Sequence, residues 1–368
     1  MVVDAEVVIL GAGPAGCATA LALLQQGVEP PVVIHRPRRQ DFVIGESATP
    51  DVADRLRQLG LNADLCLQGH APYHVNLSRW AGRLDANDFL HRAVGHGWHL
   101  DRACFDEELR RQAEQRDAQL LPADRIKGID RQRERWRLTI YHDGLEQELR
   151  CRYLVDASGR CAVLSRRFGI GRQRLDNLIA LVCKVDQGHK LKGRTLVESM
   201  PDGWWYAACL PSGEALVTLM SDADLIRSHG WRERECFITQ WRRTEELIRW
   251  VPAPEDYPIR VTLFAAYSAF LRQAAGPGWI AVGDALAAFD PLTSSGITNA
   301  LGDGIAASDV ILDWLRRDSL ESAERYARRA DDSINRYLKE RRSHYAAEKR
   351  WTKQAFWARR NTIAPIPS

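Results

Sequence analysis

Residues 6–16 read Glu6-Val7-Val8-Ile9-Leu10-Gly11-Ala12-Gly13-Pro14-Ala15-Gly16. A short β-branched run stopped by glycine reads as a buried strand. Ala15 to Gln26 has helix-forming composition, and Gly27 supplies the stop. Val32 to Ile34 reads as a second strand. Together they predict a βαβ unit. Gly11 permits the tight turn out of the strand, Gly13 lets the backbone approach a pyrophosphate, and Gly16 allows helix and strand to pack closely. Ala15 and Gly16 begin the helix, whose free N–H groups and positive dipole end suit phosphate oxygens. The pattern predicts a dinucleotide site. An acid is expected at the end of the second strand to bind the ribose hydroxyls, but this chain has His35 and Arg36. His35 is then expected at the ribose and Arg36 along the adenine or a phosphate, which predicts loose cofactor binding.

Two later motifs point to FAD as the dinucleotide. Leu154 to Arg160 places Asp156 and Gly159 at the end of a buried strand, and Ala281 to Ala285 does the same with Gly283 and Asp284. An NAD dehydrogenase needs neither. In an FAD protein, Asp284 would accept from ribityl hydroxyls and Gly283 would give close approach. The loop Phe289 to Ile297 follows, with Asp290, Pro291, Ser294, Ser295, Gly296 and Ile297. It opens a helix whose backbone N–H groups suit the electron-rich edge of a flavin ring. The serines bond the flavin or cap the next helix.

Working outward, 368 residues with 27% charged and 45% hydrophobic content predict a folded chain of two or three structural units. No window approaches the ~18 apolar residues of a membrane span, and the start lacks the basic region and cleavage site of a signal peptide. A cytoplasmic location is expected. The eight cysteines form no CxxC pair and have no histidine at zinc-finger spacing, so neither a disulfide framework nor a structural metal is expected. The net charge of +3 gives no reason to expect nucleic acid. Between Arg325 and Arg360, however, there are 12 Lys/Arg against 4 Asp/Glu. That excess reads either as a docking surface, testable by charge reversal at Arg341, Arg342 and Arg350, or as the solvated face of a helix.

The fold class expected is α/β. It comprises a Rossmann-like FAD-binding domain, an inserted antiparallel β-sheet substrate domain and a C-terminal helical segment. The FAD-binding domain is expected to be discontinuous, over 1–66, 97–175 and 270–320. The substrate domain takes 67–96 and 176–269, and the helical segment 321–368. Strands are expected at Ile179–Val185, Thr195–Glu198, Trp204–Leu210, Leu216–Met220 and Ile259–Ala265, and a helix from Glu321 to about Arg360 with Tyr326, Ala330, Ile334, Leu338 and Tyr345 on one stripe.

With these motifs in order, the sequence resembles the FAD-dependent monooxygenases and flavin-dependent halogenases of the para-hydroxybenzoate hydroxylase type of fold. The resemblance also takes in Gly45-Glu46-Ser47 and Leu100-Asp101-Arg102. It implies that Arg102 contacts the FAD phosphates, that Glu46 and Ser47 border the cofactor, that Gly283-Asp284 meets the ribityl chain and that the Pro291 loop meets the isoalloxazine. Gly69-His70, Ser78 to Gly82, Gly97 to Arg102, Gly203 to Ala208, Arg350-Trp351 and Phe356-Trp357 resemble more closely the tryptophylquinone maturases. These flavoproteins hydroxylate a tryptophan within a partner protein during quinone cofactor biogenesis.

The resemblance implies an aromatic hydroxylase whose reduced flavin reacts with O₂ to give a C4a-hydroperoxide, while the protein positions the ring and excludes water. Acid–base candidates are Glu46, His70, His74 and Asp290, although Asp290 also suits a turn. Strand alternation sends Trp204 and Tyr206 to one face and Trp205 to the other, as a slot for an indole substrate or as core packing. The single Gly-rich fingerprint leaves the electron source as NAD(P)H docking transiently or an external reductase. The expected partner is a protein or peptide bearing the target tryptophan. The alternative is a small-molecule indole or phenol hydroxylase, and behind it a non-catalytic FAD-binding assembly factor. A flavin halogenase is disfavoured. No lysine precedes Lys127, Thr293 stands where halogenases carry glutamate, and their WxWxIP motif survives only as Trp204 to Pro211.

Overall fold

A computed structural model describes residues 2–37, 44–88, 95–255 and 259–361. The chain divides into two compact units. Met1–Gln68, Arg102–Arg174 and Ala269–Ile334 form the first; Gly69–Asp101, Leu175–Ser268 and Asn335–Ser368 form the second.

The first unit is built on the strand that opens the sequence. Val2–Leu10 pairs in parallel with Val32–His35 on one side and with Leu145–Asp156 on the other. Gln119–Pro122 extends the sheet beyond Val32–His35, and Trp279–Ala281 extends it beyond Leu145–Asp156, both in parallel. Val7 to Leu10 are at most 1% exposed, as an unbroken apolar run requires when both faces of a parallel sheet are covered. A hairpin, Arg125–Gln132 with Arg135–His142, joins the first half of Leu145–Asp156. The helices Pro14–Gln25 and Gly296–Arg317 pack together. Gly304 makes that approach possible, because a Cβ there would stand 2.6 Å from the Ala15 carbonyl oxygen.

The second unit holds a seven-stranded sheet. Its order is Thr262–Ala265, Leu178–Val185, Ala215–Asp222, Gly203–Cys209, Arg194–Met200, Val75–Trp80 and Arg83–Asp88. The sheet is antiparallel as expected except at one pair, Arg194–Glu198 with Val75–Arg79, which is parallel. One face carries a core of Trp205, Phe237, Trp241, Leu247 and their neighbours, covered by the helices Ala223–Ser228, Arg234–Arg242 and Leu247–Trp250. On the other face, Trp204 meets Trp80 edge-on, and its Nε1 donates to the Tyr345 hydroxyl at 3.2 Å. Fully burying an aromatic of this kind contributes on the order of 2–3 kcal/mol.

The C-terminal helix differs from expectation in two ways. It ends at Ala347 and a separate helix, Ala355–Asn361, follows. The break is set by Glu348, which has no exposed surface. Its carboxylate accepts the backbone N–H of Ala81 and of Arg350, both at 2.9 Å, and the Ser199 hydroxyl at 2.8 Å. A continued helix would pull it from these donors. Second, the buried stripe runs Tyr326, Ala330, Ile334, Tyr337, Arg341, Tyr345. The helical period puts Tyr337 inside in place of Leu338, and its hydroxyl shares a 2.6 Å hydrogen bond with Ser268.

Much of the local positive charge is neutralised within the fold. Arg341 is 4% exposed and donates to Asp176 at 3.0 Å. Arg350 pairs with Glu348, and Arg359 and Arg360 both pair with Asp222. Glu321–Arg325 and Glu324–Arg328 pair along the exposed helix face. Of the three arginines suited to a charge-reversal test of docking, Arg341 is a buried structural group and Arg350 is engaged by Glu348. The geometry is simpler than either reading of the segment, since several of its cations are paired within the chain. Among the described residues no helix is long and apolar enough to cross a membrane.

Removing one partner of a buried pair strands the other charge, at about 3–5 kcal/mol. Arg341→Met should therefore lower the urea unfolding free energy by roughly 3 kcal/mol. Arg342→Met, one position away and exposed, should change it by less than about 0.5 kcal/mol.

Candidate functional site

The site elements of the first unit converge where its central strand ends. The Gly11 N–H donates to the Ile34 carbonyl at 2.8 Å, and Gly11 takes φ +118°. A Cβ on Gly16 would stand 1.8 Å from the Gly11 oxygen, so the helix starts in contact with the turn. Gly13 differs from both. It is the N-cap of Pro14–Gln25, and a Cβ there would meet nothing within 4 Å. The helix start, where Ala15 lies, therefore has no side-chain cap and an open approach, the arrangement an anion requires. His35 ends the second strand half-buried, and Arg36 beyond it is exposed. Burial and then the nearby Arg110 lower the His35 pKa, so the ring is neutral at pH 7 and suited to hydrogen-bond a hydroxyl.

Arg102 occupies a defined pocket. Its Nη1 donates to the carbonyls of Ile44 and Gly45 at 2.8 and 3.2 Å, and its Nε and Nη2 donate to the two Asp106 oxygens at 3.1 and 3.3 Å. This bidentate pair fixes the guanidinium plane. The Glu46 carboxylate is 5% exposed and accepts the Gly45 N–H at 3.1 Å. Ser47 is half-buried. Thr49 links this segment to the helix Gly296–Arg317 by a 2.8 Å hydrogen bond to Thr298.

Asp156 has no exposed surface. One oxygen accepts the Ser158 N–H at 3.0 Å and its hydroxyl, and the other accepts the Leu164 N–H at 2.8 Å. Burial pushes its pKa up and these donors oppose the shift. Asp156 thus shapes its own turn, which includes Gly159, and has no accessible oxygen to offer a cofactor. Asp284 differs, at 39% side-chain exposure, with Arg160 Nε 3.4 Å away. Gly283 takes φ +58° in a gap where a Cβ would lie 2.9 Å from that of Ala15 and 3.4 Å from that of Ala300. Arg172 donates to the Asp284 carbonyl at 2.8 Å and to the Arg160 carbonyl at 2.9 Å, and Arg160 donates to the Phe289 carbonyl at 3.0 Å. Two arginines therefore tie this turn to the next loop. Arg160 lay inside a motif legible in the sequence; Arg172 gave no sequence signal.

In that loop, Asp290 is 2% exposed and accepts the Leu292 N–H at 3.3 Å, as a turn former does. Pro291 starts a single 3₁₀ turn, and Ser294 takes φ +51°. Ser295 is the N-cap of Gly296–Arg317 without capping it, its hydroxyl bonding Thr293 and Asn299 instead. A Cβ on Gly296 would meet open space, while Ile297 is buried. This second uncapped helix start suits the electron-rich edge of a flavin. Open cradles at Gly13 and Gly296 and the accessible Asp284 carboxylate fit an FAD.

The acid–base candidates are divided between the two units. Glu46 and Asp290 belong to the first unit and His70 to the second. His70 Nδ1 accepts the Asp101 N–H at 3.1 Å, so its neutral ring carries the proton on Nε2. Burial lowers its pKa, which makes it a donor at pH 7 and a poor base. Trp204 and Trp205 are at most 1% exposed and are spent on the two faces of their sheet; Tyr206 between them is half-buried. Trp205 also lines a cavity of about 600 Å³ with Met200, Trp231, Gln240 and Trp351.

Residues 4–207 match the family model of the FAD binding domain. LodB of Marinomonas mediterranea, by name an FAD-dependent oxidoreductase, is 28% identical over 367 residues, covering 98% of each chain. The solved structure of QhpG, a peptidyl tryptophan dihydroxylase essential for tryptophylquinone cofactor biogenesis, matches with TM-score 0.82 at 26% identity over 99% of this chain and 80% of that one. The myxobacterial chondrochloren halogenase CndH shares the fold, with TM-score 0.87 at 21% identity over 98% and 86% of the two chains.

The open space at Gly13 separates binding from folding. Gly13→Glu should leave the thermal midpoint within a few degrees of wild type and abolish the yellow colour of the purified protein, because the carboxylate fills the phosphate approach. Gly16→Ala, with no room for its methyl, should unfold at a clearly lower temperature. A yellow Gly13→Glu protein would contradict the assignment of this turn.

Proposed function

The chain belongs to the FAD-binding-domain family, and from that premise we propose that it hydroxylates a tryptophan side chain within a partner protein or peptide. The observation that carries the reading is the match over 99% of the chain to a peptidyl tryptophan dihydroxylase. The whole-length relationship to an FAD-dependent oxidoreductase agrees with it.

FAD, when bound and reduced, supplies the activation of O₂. One oxygen atom enters the indole ring in place of hydrogen and the other leaves as water, with two electrons and two protons consumed. The electrons come from NAD(P)H or from an external reductase. The protein's part is to bind, orient and exclude water. The uncapped start of Pro14–Gln25 would hold the pyrophosphate, Arg102 would add a fixed cation and Asp284 would take ribityl hydroxyls. The start of Gly296–Arg317 would meet the flavin edge. An indole is electron-rich enough to react without a dedicated base. That suits a site whose acid–base candidates are largely engaged in shaping turns. Halogenation lacks the lysine it needs, since none precedes Lys127.

Co-expression with the protein that bears the target tryptophan, followed by tryptic mass spectrometry, tests the reading. A tryptophan-containing peptide should gain one or two oxygen atoms, and the gain should vanish with Gly13→Glu. Turnover of free indoles or phenols beside an unmodified partner would make this a small-molecule hydroxylase. A stable complex with an unmodified tryptophan would make it an assembly factor.

A further inference from the structure

The turn offered to the ribityl chain is gripped from behind by an acid that none of the sequence motifs includes. Asp303 lies in Gly296–Arg317 and accepts the Gly283 N–H at 3.3 Å. The Gly283 amide has few alternatives, because its Cα is wedged between Ala15 and Ala300. The charged neighbours of Asp303 come from three elements. Arg55 is in Val52–Gln58, Arg329 is in Glu321–Ala347, and Asp284 follows Gly283. Arg55 Nε and Arg329 Nη2 crowd the adjacent Gly302 at 3.4 and 3.7 Å from its would-be Cβ. The Tyr326 phenol faces Asp303 from the same helix as Arg329.

We infer that Asp303 is a positioning residue for FAD, fixing the Gly283–Asp284 turn so that the Asp284 carboxylate is presented to the ribityl hydroxyls. The inference rests on the FAD site alone and not on the identity of the oxidised substrate. Asp303 holds the turn through an acceptor oxygen, and an ionised carboxylate accepts more strongly than a neutral one.

The environment makes this grip pH-dependent. Burial raises the Asp303 pKa to about 6, against the opposing pull of Arg329, the Gly283 N–H and Arg55. Below that value the group is protonated and its hold on Gly283 weakens. FAD affinity is therefore expected to rise as pH increases through 6. The apoprotein responds in the opposite sense. A folded-state pKa above the unfolded value near 4 means that the native state binds more protons between the two. This group's contribution to apoprotein stability is therefore present below pH 4 and is lost as pH rises to 6. A purely structural residue would produce the second trend without the first.

The experiment is fluorescence titration of apoprotein with FAD from pH 5.0 to 7.5, alongside thermal melts of the same samples. In wild type, Kd should fall by about five-fold across the range with a midpoint near pH 6, the ratio expected from an ionised against a neutral acceptor. Asp303→Asn keeps the shape and a neutral acceptor. Its Kd should stay within about two-fold across the range, at the weaker, acid-side wild-type value. Asp303→Ala should bind more weakly still at every pH. If the alanine variant fails to fold, the asparagine curve decides alone. An asparagine variant with the wild-type pH profile, or a folded alanine variant with wild-type affinity, overturns the inference. A wild-type protein that takes up no FAD at any pH would instead refute the cofactor assignment itself.

Discussion

One contact controls the first unit, the approach of the helix Pro14–Gln25 to the turn that precedes it. Gly16 stands so close to the Gly11 carbonyl that no side chain fits. On its other side the same helix receives Gly304 against the Ala15 carbonyl and Gly283 against the Ala15 methyl. The helix is thereby located from two directions by backbone contact, with little side-chain freedom to blur it. Its N-terminus is an anion site only if it points at a fixed place, and these three glycines fix it. Gly13 is the complement, a glycine with empty space around it, where a phosphate of the proposed cofactor would come close. Both requirements are met within six residues.

The ribityl side depends on charge instead of close packing. Asp156 and Asp284 occupy equivalent strand ends and look alike in sequence, yet their environments separate them. Asp156 is enclosed by the donors of Ser158 and Leu164 and stabilises the loop it belongs to. Asp284 remains partly open and is held by groups that do not consume its accepting capacity: Arg172 at its carbonyl, Arg160 near one oxygen, and Asp303 at the preceding amide. Such a grip costs little on cofactor binding because it is already formed in the protein. It also links the Gly283–Asp284 turn to the Phe289 loop through Arg160, so the two segments proposed to face the cofactor are positioned together.

The parts of this arrangement legible in the sequence are those that depend on local pattern. The strand–turn–helix at residues 6–26, the Gly283-Asp284 turn and most strands of the second unit followed from periodicity and turn residues. The parts that escaped are set by partners distant in the chain. Val75–Trp80 and Arg83–Asp88 alternate weakly, since the outer strand is exposed and has no apolar face to advertise. The parallel pairing of Val75–Arg79 with Arg194–Glu198 is a choice of neighbour that no local signal encodes. The helices between Ala223 and Trp250 are short, and tertiary burial of Phe237 and Trp241 sustains them more than their composition. Along Trp204-Trp205-Tyr206 the two tryptophans alternate between the faces of the sheet. Whether an alternating face meets a ligand or a helix depends on what covers it, and here the aromatic partners, Phe237 and Trp241 on one face and Trp80 and Tyr345 on the other, lie more than 30 residues away in sequence.

The charge of the C-terminal segment shows the same limit and gives it an energetic meaning. Counted along the chain, residues 325–360 look like a cationic surface. In the fold, Arg341 and Arg360 are buried against Asp176 and Asp222, and Glu348 is buried among the donors of Ala81, Ser199 and Arg350. Ion pairs of this kind contribute little net stability relative to apolar packing, because desolvation offsets most of the attraction. They do penalise every misalignment, since a shift of one turn would leave several charges buried without partners. The final helices have ordinary apolar anchors in Tyr345, Phe356 and Trp357, which would tolerate some sliding. The buried charges meet their partners in one register on the sheet, and Arg341, Arg350, Arg359 and Arg360, which look like a cationic surface in the sequence, are paired within the chain.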